Sequence, residues 1–240
     1  MKKFVIIVAG GSGKRINTEI PKQFISLAGK PVLIHTISAF YNYSPEINIL
    51  LVLPKIHFGL WERLCKNHNF NISHKIVEGG KTRFLSVKNG LSKIEKNGII
   101  AVHDGVRPLV KKQVIEKAFL DAEIYGNAVP AIPVNESVRE IYKTGSKIFN
   151  RSNLRIIQTP QVFKSSILIK AYQQAYQKKF TDDATVVESA GEKINLIEGN
   201  PENIKITTPI DFKIAEVLLK IIPNFSSPSI QISGNCRKFP

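Results

Sequence analysis

Short apolar runs rich in β-branched residues recur along the chain at residues 4–8, 47–53, 75–77, 99–103 and 128–134. Between them lie amphipathic stretches at 31–41, 58–67, 82–95 and 112–125. In the third of these, Phe84, Val87, Leu91 and Ile94 share one face at helical spacing. Near-continuous apolar strands joined by helices predict a mostly parallel, twisted sheet covered on both faces, an α/β fold. Ligands of such sheets bind beyond the carboxyl ends of the strands. That directs attention to the loops after the first, third, fourth and fifth runs.

Two segments break the alternation. Residues 138–148 ("VREIYKTGSKI") read as two short strands about a Thr144-Gly145 turn with no helix after them. An arm of this kind, about 136–150, has little core of its own and is expected to pack on a partner subunit. Near the other end, Thr208-Pro209-Ile210-Asp211 opens a helix running to about Ile222: a capping threonine, proline at the first position and an acid in the first turn. The main domain is thus expected over 1–222. Residues 223–240 form a polar, Ser/Pro/Asn-rich tail expected to be disordered or loosely attached.

The loop after the first run, "VAGGSGKRINTEIPKQF", carries the most chemistry. A dinucleotide fingerprint needs a third glycine at Ile16, a Walker A loop needs Ser or Thr at Arg15, and a nucleophile elbow about Ser12 needs glycine at Lys14; all three fail. What survives is a turn of exposed backbone N–H groups able to wrap a polyphosphate, with its own cations instead of a metal ligand. Glu78-Gly79-Gly80-Lys81-Thr82-Arg83 follows the third run and opens a helix, a second anion-friendly terminus. His103-Asp104-Gly105-Val106-Arg107-Pro108 ends the fourth, where Asp104 suits a metal ligand, a base or a cap. Lys205, in "NIKIT", closes the last strand-like pattern. The five histidines show no metal-ligand spacing and are expected mostly at the surface or the core edge. No Ser-His-Asp or Cys-His set can be assembled. The site is rich in phosphate-binding groups and poor in nucleophiles.

Composition adds one fact. The 240 residues carry a formal charge of +15, which suits an anionic partner or, equally, dispersed solvated lysines; there is no run of five basic residues. A nucleic-acid binder would show a continuous basic stripe with interleaved aromatics, whereas here the aromatics are scattered at core-like spacing. Two distant cysteines, Cys65 and Cys236, form no disulfide framework, which favours a reducing cytoplasm. No apolar stretch approaches the ~18 residues of a membrane span.

The blocks "AGGSGKR…PKQF", "HDGVRP", "QTPQVF", "TDDA" and "NIKITTP", in this order from Phe4 to about Leu219, resemble those of the sugar-phosphate cytidylyltransferases. The nearest branch is the one acting on 2-C-methyl-D-erythritol 4-phosphate. The resemblance implies a single Rossmann-like nucleotidyltransferase domain with a β-hairpin dimerisation arm, and transfer of CMP from CTP to a phosphopolyol with release of pyrophosphate. It implies catalytic roles for Arg15, Lys22, Arg151 and Lys205. CTP would be bound by Ala9, Gly10, Gly11, Gly13, Gly80, Lys81, Ser86, Asp104 and Gly105, and the acceptor by Arg107, Ser137, Thr159 and Thr181. It further implies Mg²⁺ carried mainly by the CTP phosphates, with no dedicated protein ligand set, and a homodimer with a composite site.

Two blocks depart from the pattern. Gly105-Val106 stands where the family has Ala-Ala, and Pro133-Val134-Asn135-Glu136-Ser137 where it has Pro-Val-x-Asp-Thr. The rival acceptor is ribitol 5-phosphate, whose cytidylyltransferases share most blocks. Arg151 standing eight residues before Thr159 favours the methylerythritol branch.

Overall fold

A computed structural model of the chain describes residues 1–11, 20–94 and 97–221. Gly13 and Arg15, and the tail beyond Ile221, lie outside the described residues.

Strand β1 (Lys2–Val8) is followed by a small ribbon, β2 (Ser26–Leu27) with β3 (Lys30–Pro31), that leads into α1 (Val32–Tyr43). Then come β4 (Asn48–Leu53), α2 (Phe58–Asn67), β5 (Lys75–Glu78), α3 (Arg83–Leu91), β6 (Gly98–Asp104), α4 (Lys112–Tyr125) and β7 (Asn127–Pro133). The hairpin β8 (Val138–Tyr142) and β9 (Gly145–Phe149) precedes β10 (Arg155–Ile157), β11 (Gln161–Lys164), α5 (Ser165–Ala171), α6 (Asp183–Ser189), β12 (Leu196–Glu198) and α7 (Pro209–Ile221).

The main sheet runs β10-β7-β11-β6-β1-β4-β5, with β12 paired to β7. Strands β5, β4, β1 and β6 are mutually parallel; β11 inserts antiparallel between β6 and β7, and β10 is antiparallel to β7. Side chains of a strand alternate between sheet faces, and β1 displays the rule: Val5 and Ile7 join one core, Phe4 and Ile6 the other. The first core is closed by α1, α2 and α4 through Ile37, Phe40, Trp61, Ile115 and Phe119. The second is closed by α3, α5 and α6 through Phe84, Val87, Leu168 and Val187. Burial on both faces is why these strands read as continuous apolar runs. Helix α7 packs in a third cluster, where Ala215 and Leu219 meet Leu27, Val32 and Val106.

The five apolar runs form strands and the four amphipathic stretches form helices, with shifted ends. Helix α3 stops at Leu91; Ile94 lies past it yet still joins the core expected of it. The arm forms, but its tight turn is Lys143-Thr144, because Tyr142 pairs with Gly145. "NIKIT" is not a strand: residues 203–207 run as an irregular segment, held where Ile206 N donates to Val106 O at 3.0 Å. The start of α7 is built as its sequence implies. Thr208 Oγ1 accepts from Asp211 N at 3.4 Å, and the Asp211 carboxylate accepts from the amides of Thr207 and Thr208 at 2.8 Å each.

Candidate active site

Strands β4 and β5 extend from β1 to one side, and the chain then crosses to place β6 on the other. The carboxyl ends of β1 and β6 therefore flank a topological switch point, where a sheet of this kind opens a crevice. A cleft of about 400 Å³ lies there. Its walls are the loop after β1 (Val8–Gly11), Lys22 and Gln23, the start of α3 with the loop before it (Gly80–Arg83, Ser86), the end of β6 (Asp104, Val106), and Lys205 with Thr207.

The two strand ends meet closely. Val8 pairs with Asp104, and Gly105 N donates to Val8 O at 2.9 Å. A Cβ on Gly105 would stand 2.8 Å from Ala9 Cβ, so only glycine permits the approach. The Gly105 carbonyl in turn accepts from Thr36 Oγ1 at 3.1 Å. Gly105 thus supports the cleft from behind and is not one of its lining residues. Across the cleft, Thr82 caps α3 by accepting from Leu85 N at 3.1 Å. Ser86 Oγ accepts from Gly80 N at 3.1 Å and lies 2.9 Å from Thr82 O, to which it donates. These bonds fold the Gly79-Gly80 turn back over the helix start. Gln23, fully buried, donates from Nε2 to Ala9 O at 2.8 Å and so ties the segment bearing Lys22 to the glycine loop.

Charge is concentrated on one wall. Asp104 Oδ2 lies 3.0 Å from Lys205 Nζ and 3.3 Å from Arg107 Nε, and its Oδ1 lies 3.6 Å from Arg83 Nε. Burial alone would raise the Asp104 pKa, but Arg83, Lys205 and Arg107 outweigh it and hold the carboxyl well below the usual carboxylate range. Arg83 also meets Asp183 at 2.6 Å; burial would weaken its charge, yet Asp183 and Asp104 hold its pKa above the ordinary arginine value. Lys22 and Lys81 add two more cations to the lining. The wall is net positive, as a site for a polyphosphate requires.

Of the residues expected from the sequence, Ala9, Gly10, Gly11, Lys22, Gly80, Lys81, Ser86, Asp104 and Lys205 converge on this cleft. Besides Gly105, five others do not line it. Thr159 is 4% exposed, its hydroxyl accepting from Asp104 N at 3.1 Å and lying 3.0 Å from His103 Nδ1, so it props Asp104 instead of facing a ligand. Arg107 spends its guanidinium on Asp104 and on the Asn203 carbonyl at 2.7 Å. Ser137 and Arg151 sit exposed at the base of the arm, where Arg151 donates to the Asn135 carbonyl. Thr181 is exposed two residues before α6. His57, His68 and His74 are half-buried, in keeping with mostly surface or core-edge histidines, whereas His103 is fully buried and burial takes its pKa down to about 4. With Asp104 N donating to Thr159 Oγ1, the Thr159 hydroxyl donates to His103 Nδ1 and the neutral ring donates from Nε2 to Arg107 O at 2.9 Å.

Sequence reasoning missed Gln23, Thr82, Arg83 and Thr207 as lining residues, and Asp183 behind them. Arg83 and Asp183 both stood inside quoted blocks, "EGGKTR" and "TDDA", but nothing in either says that the two meet. Among the described residues, no group of three His, Cys, Asp or Glu side chains is arranged to hold a metal ion, and Asp104 is the one carboxylate lining the cleft.

The family model for 2-C-methyl-D-erythritol 4-phosphate cytidylyltransferase matches residues 3–221. The chain belongs to this family. A relative of that description from Azobacteroides pseudotrichonymphae is 52% identical over 221 residues, 91% of this chain and 99% of its own length. One from Bacteroides fragilis is 47% identical over 219 residues, 91% of this chain and all of its own. Among solved structures, 4-diphosphocytidyl-2C-methyl-D-erythritol synthase from Anaerococcus prevotii superposes with a TM-score of 0.78 at 28% identity, covering 91% of this chain and 96% of its own. The 2-C-methyl-D-erythritol 4-phosphate cytidylyltransferase from Thermus thermophilus gives 0.75 at 27%, covering 92% and 100%. The fold is therefore that of a nucleotidyltransferase, and the family is an enzyme family of cytidylyl transfer.

Proposed function

We propose that this chain transfers CMP from CTP to 2-C-methyl-D-erythritol 4-phosphate, giving the CDP-linked methylerythritol and pyrophosphate, a step of isoprenoid precursor synthesis. The observation that carries this reading is the cationic cleft at the switch point, in a chain that matches the family from end to end of its described fold. An oxygen of the acceptor's phosphate monoester attacks the α-phosphorus of CTP; the bond from that phosphorus to the bridging oxygen breaks, and pyrophosphate leaves with the electron pair. The nucleophile is already anionic at neutral pH, its second pKa being about 6, so no general base is needed. The barrier comes from bringing two anions together and from charge gathering on the leaving oxygens. Positioned cations lower it.

In this reading the amides of Ala9–Gly11 and the side chain of Lys22 receive the triphosphate, joined by Arg15 and Gly13 of the same loop. The Gly80 turn, Lys81 and Ser86 face the base. Lys205, set by Asp104, meets the phosphate of the acceptor or the transition state. Mg²⁺ enters on the triphosphate as part of the substrate and neutralises part of its charge. Asp104, the one lining carboxylate among the described residues, is already engaged by three cations, and in this reading the ion stays on the nucleotide's own oxygens. Arg151, Ser137, Arg107 and Thr181 stand outside the cleft of their own chain. The arm is exposed on both faces, with Ile141, Tyr142, Ile148 and Phe149 open to solvent. We infer that it packs on a second copy and carries the arm-base residues toward that copy's cleft. No helix among the described residues is long and apolar enough to cross a membrane. The free thiol of Cys65 suits a cytoplasmic enzyme.

The test is pyrophosphate release from Mg-CTP with each purified acceptor. Turnover with 2-C-methyl-D-erythritol 4-phosphate, at a kcat/KM at least ~10-fold above that with ribitol 5-phosphate, is expected. Preference for ribitol 5-phosphate would reassign the acceptor, and turnover with neither would reject the activity.

A further inference from the structure

Lys205 comes from an irregular segment and its side chain is 44% exposed, so packing does little to fix its ammonium. Its placement depends on Asp104 Oδ2 at 3.0 Å. Asp104 in turn is met on its other oxygen by Arg83 Nε at 3.6 Å, and Arg83 is gripped from behind by Asp183, Nη2 to Oδ2 2.6 Å. Asp183 is wholly buried at the first position of α6, and its Oδ1 accepts from the buried Tyr172 hydroxyl at 2.6 Å. Around these polar groups the Phe84 ring stacks on Tyr172 at 4.7 Å and on Phe180 at 5.7 Å, so the segment 172–183 and the start of α3 cannot shift separately.

We propose that Arg83 is a positioning residue for the transfer step: bridging Asp183 and Asp104, it orients the carboxylate that sets Lys205 in the cleft, and Asp183 with Tyr172 holds the guanidinium to that task. A planar guanidinium can address two carboxylates from different edges; a lysine ammonium is a point charge on a flexible stem and cannot do so with the same geometry. Arg83 lines the cleft, yet its two acid partners draw its nitrogens into the wall. Its contribution is therefore the orientation of another cation. The arrangement also explains a double acid in "TDDA": Asp182 caps α6 by accepting from Thr185 N at 2.9 Å, while Asp183 turns inward to Arg83. Two adjacent carboxylates serve two different elements.

This inference rests on the proposed reaction for its kinetic arm and not for its structural one. Arg83→Ala would leave Asp183 buried without a counter-ion and risks unfolding the chain, so Arg83→Lys and Tyr172→Phe are the variants, checked for native circular dichroism. With wild-type turnover established, Arg83→Lys is expected to lower kcat by about tenfold or more while the Kd for CTP moves by less than about threefold, since a small misplacement of a catalytic group suffices. Tyr172→Phe is expected to move kcat in the same direction by a smaller factor. In a Lys205→Ala background the Arg83→Lys loss should largely vanish, because the two substitutions remove one interaction chain. Losses that multiply independently, or a kcat unchanged in Arg83→Lys, would overturn the proposal. The second arm needs no turnover: the ε-methylene NMR signals of Lys205, identified by their loss in Lys205→Ala, should be distinct in the wild type and collapse toward those of a free lysine in Arg83→Lys. Signals unchanged by Arg83→Lys would overturn the proposal even if the acceptor or the activity were wrongly assigned.

Discussion

Asp104 keeps its charge in a buried place because three cations converge on it, and His103 beside it loses its charge because burial outweighs the Arg107 carbonyl and the Asp104 carboxylate, which favour the imidazolium. The pair predicts distinct acid behaviour. In the unfolded chain His103 titrates near the ordinary histidine value of 6.5, and in the folded one near about 4. Between those values the unfolded state binds the extra proton, so stability rises with pH across the window and is lost on acidification through it, by an amount on the order of 3 kcal/mol at full extent. His35 and His74, also lowered by burial, act in the same direction. Asp104 has the opposite kind of group but the same acid sensitivity. Its contribution is present above the unfolded carboxylate value and is lost only as the pH falls below that, toward its depressed folded pKa. Urea denaturation from pH 7 to 4 should show falling stability throughout. The imidazole C–H resonance of His103 should stay at its neutral position at pH 5, and a midpoint near 6.5 would contradict its assigned hydrogen bonds.

At the scale of elements, the parallel strands and their crossover helices were legible because burial on both faces writes apolar runs into β1, β4 and β6, and one-sided burial writes a helical period into α3. The glycine loops were legible because close backbone approach demands glycine. What lies between the arm and α7 was not. β10, β11 and β12 are three or four residues each, too short for a pattern. Asp183 was hidden too, because its partner Arg83 is about a hundred residues away in sequence and only the fold brings them together. The family resemblance implied Thr159 as an acceptor contact; the structure shows it 4% exposed and accepting from Asp104 N. The approach of Gly105 to the loop after β1 gives a clean test. In Gly105→Ala the new methyl meets Ala9 Cβ at 2.8 Å and Val8 O at 3.2 Å, both on a buried strand end. Overpacking there should cost about 1–3 kcal/mol of stability. It should also weaken CTP binding by displacing the loop after β1. Calorimetric unfolding and CTP titration of the same sample check both; a variant with wild-type stability and affinity would show that the two loops are not locked together.

Over the whole molecule, one sheet supplies two cores and one cleft, while the arm supplies neither. Its ten paired residues leave Ile141 and Ile148 on one face and Tyr142 and Phe149 on the other, nearly all exposed. A hairpin without a core of its own gains stability by packing on something else. If that is a second copy of the chain, sedimentation equilibrium should give twice the 26.8 kDa of one chain. Ile141→Glu with Ile148→Glu should then shift the mass toward the monomer and lower turnover, with the unfolding midpoint of the main domain little changed. A monomeric wild type with full activity would contradict the composite site.

The central claim is that fixed cations around the glycine turn act on the reacting charge more than on nucleotide affinity. Lys22→Ala tests it most directly, with kcat and the Kd for Mg-CTP measured on the same preparation. The account predicts a fall in kcat on the order of 100- to 1000-fold, about 3–4 kcal/mol of barrier, with Kd raised far less. An unchanged kcat with weakened binding alone would contradict it.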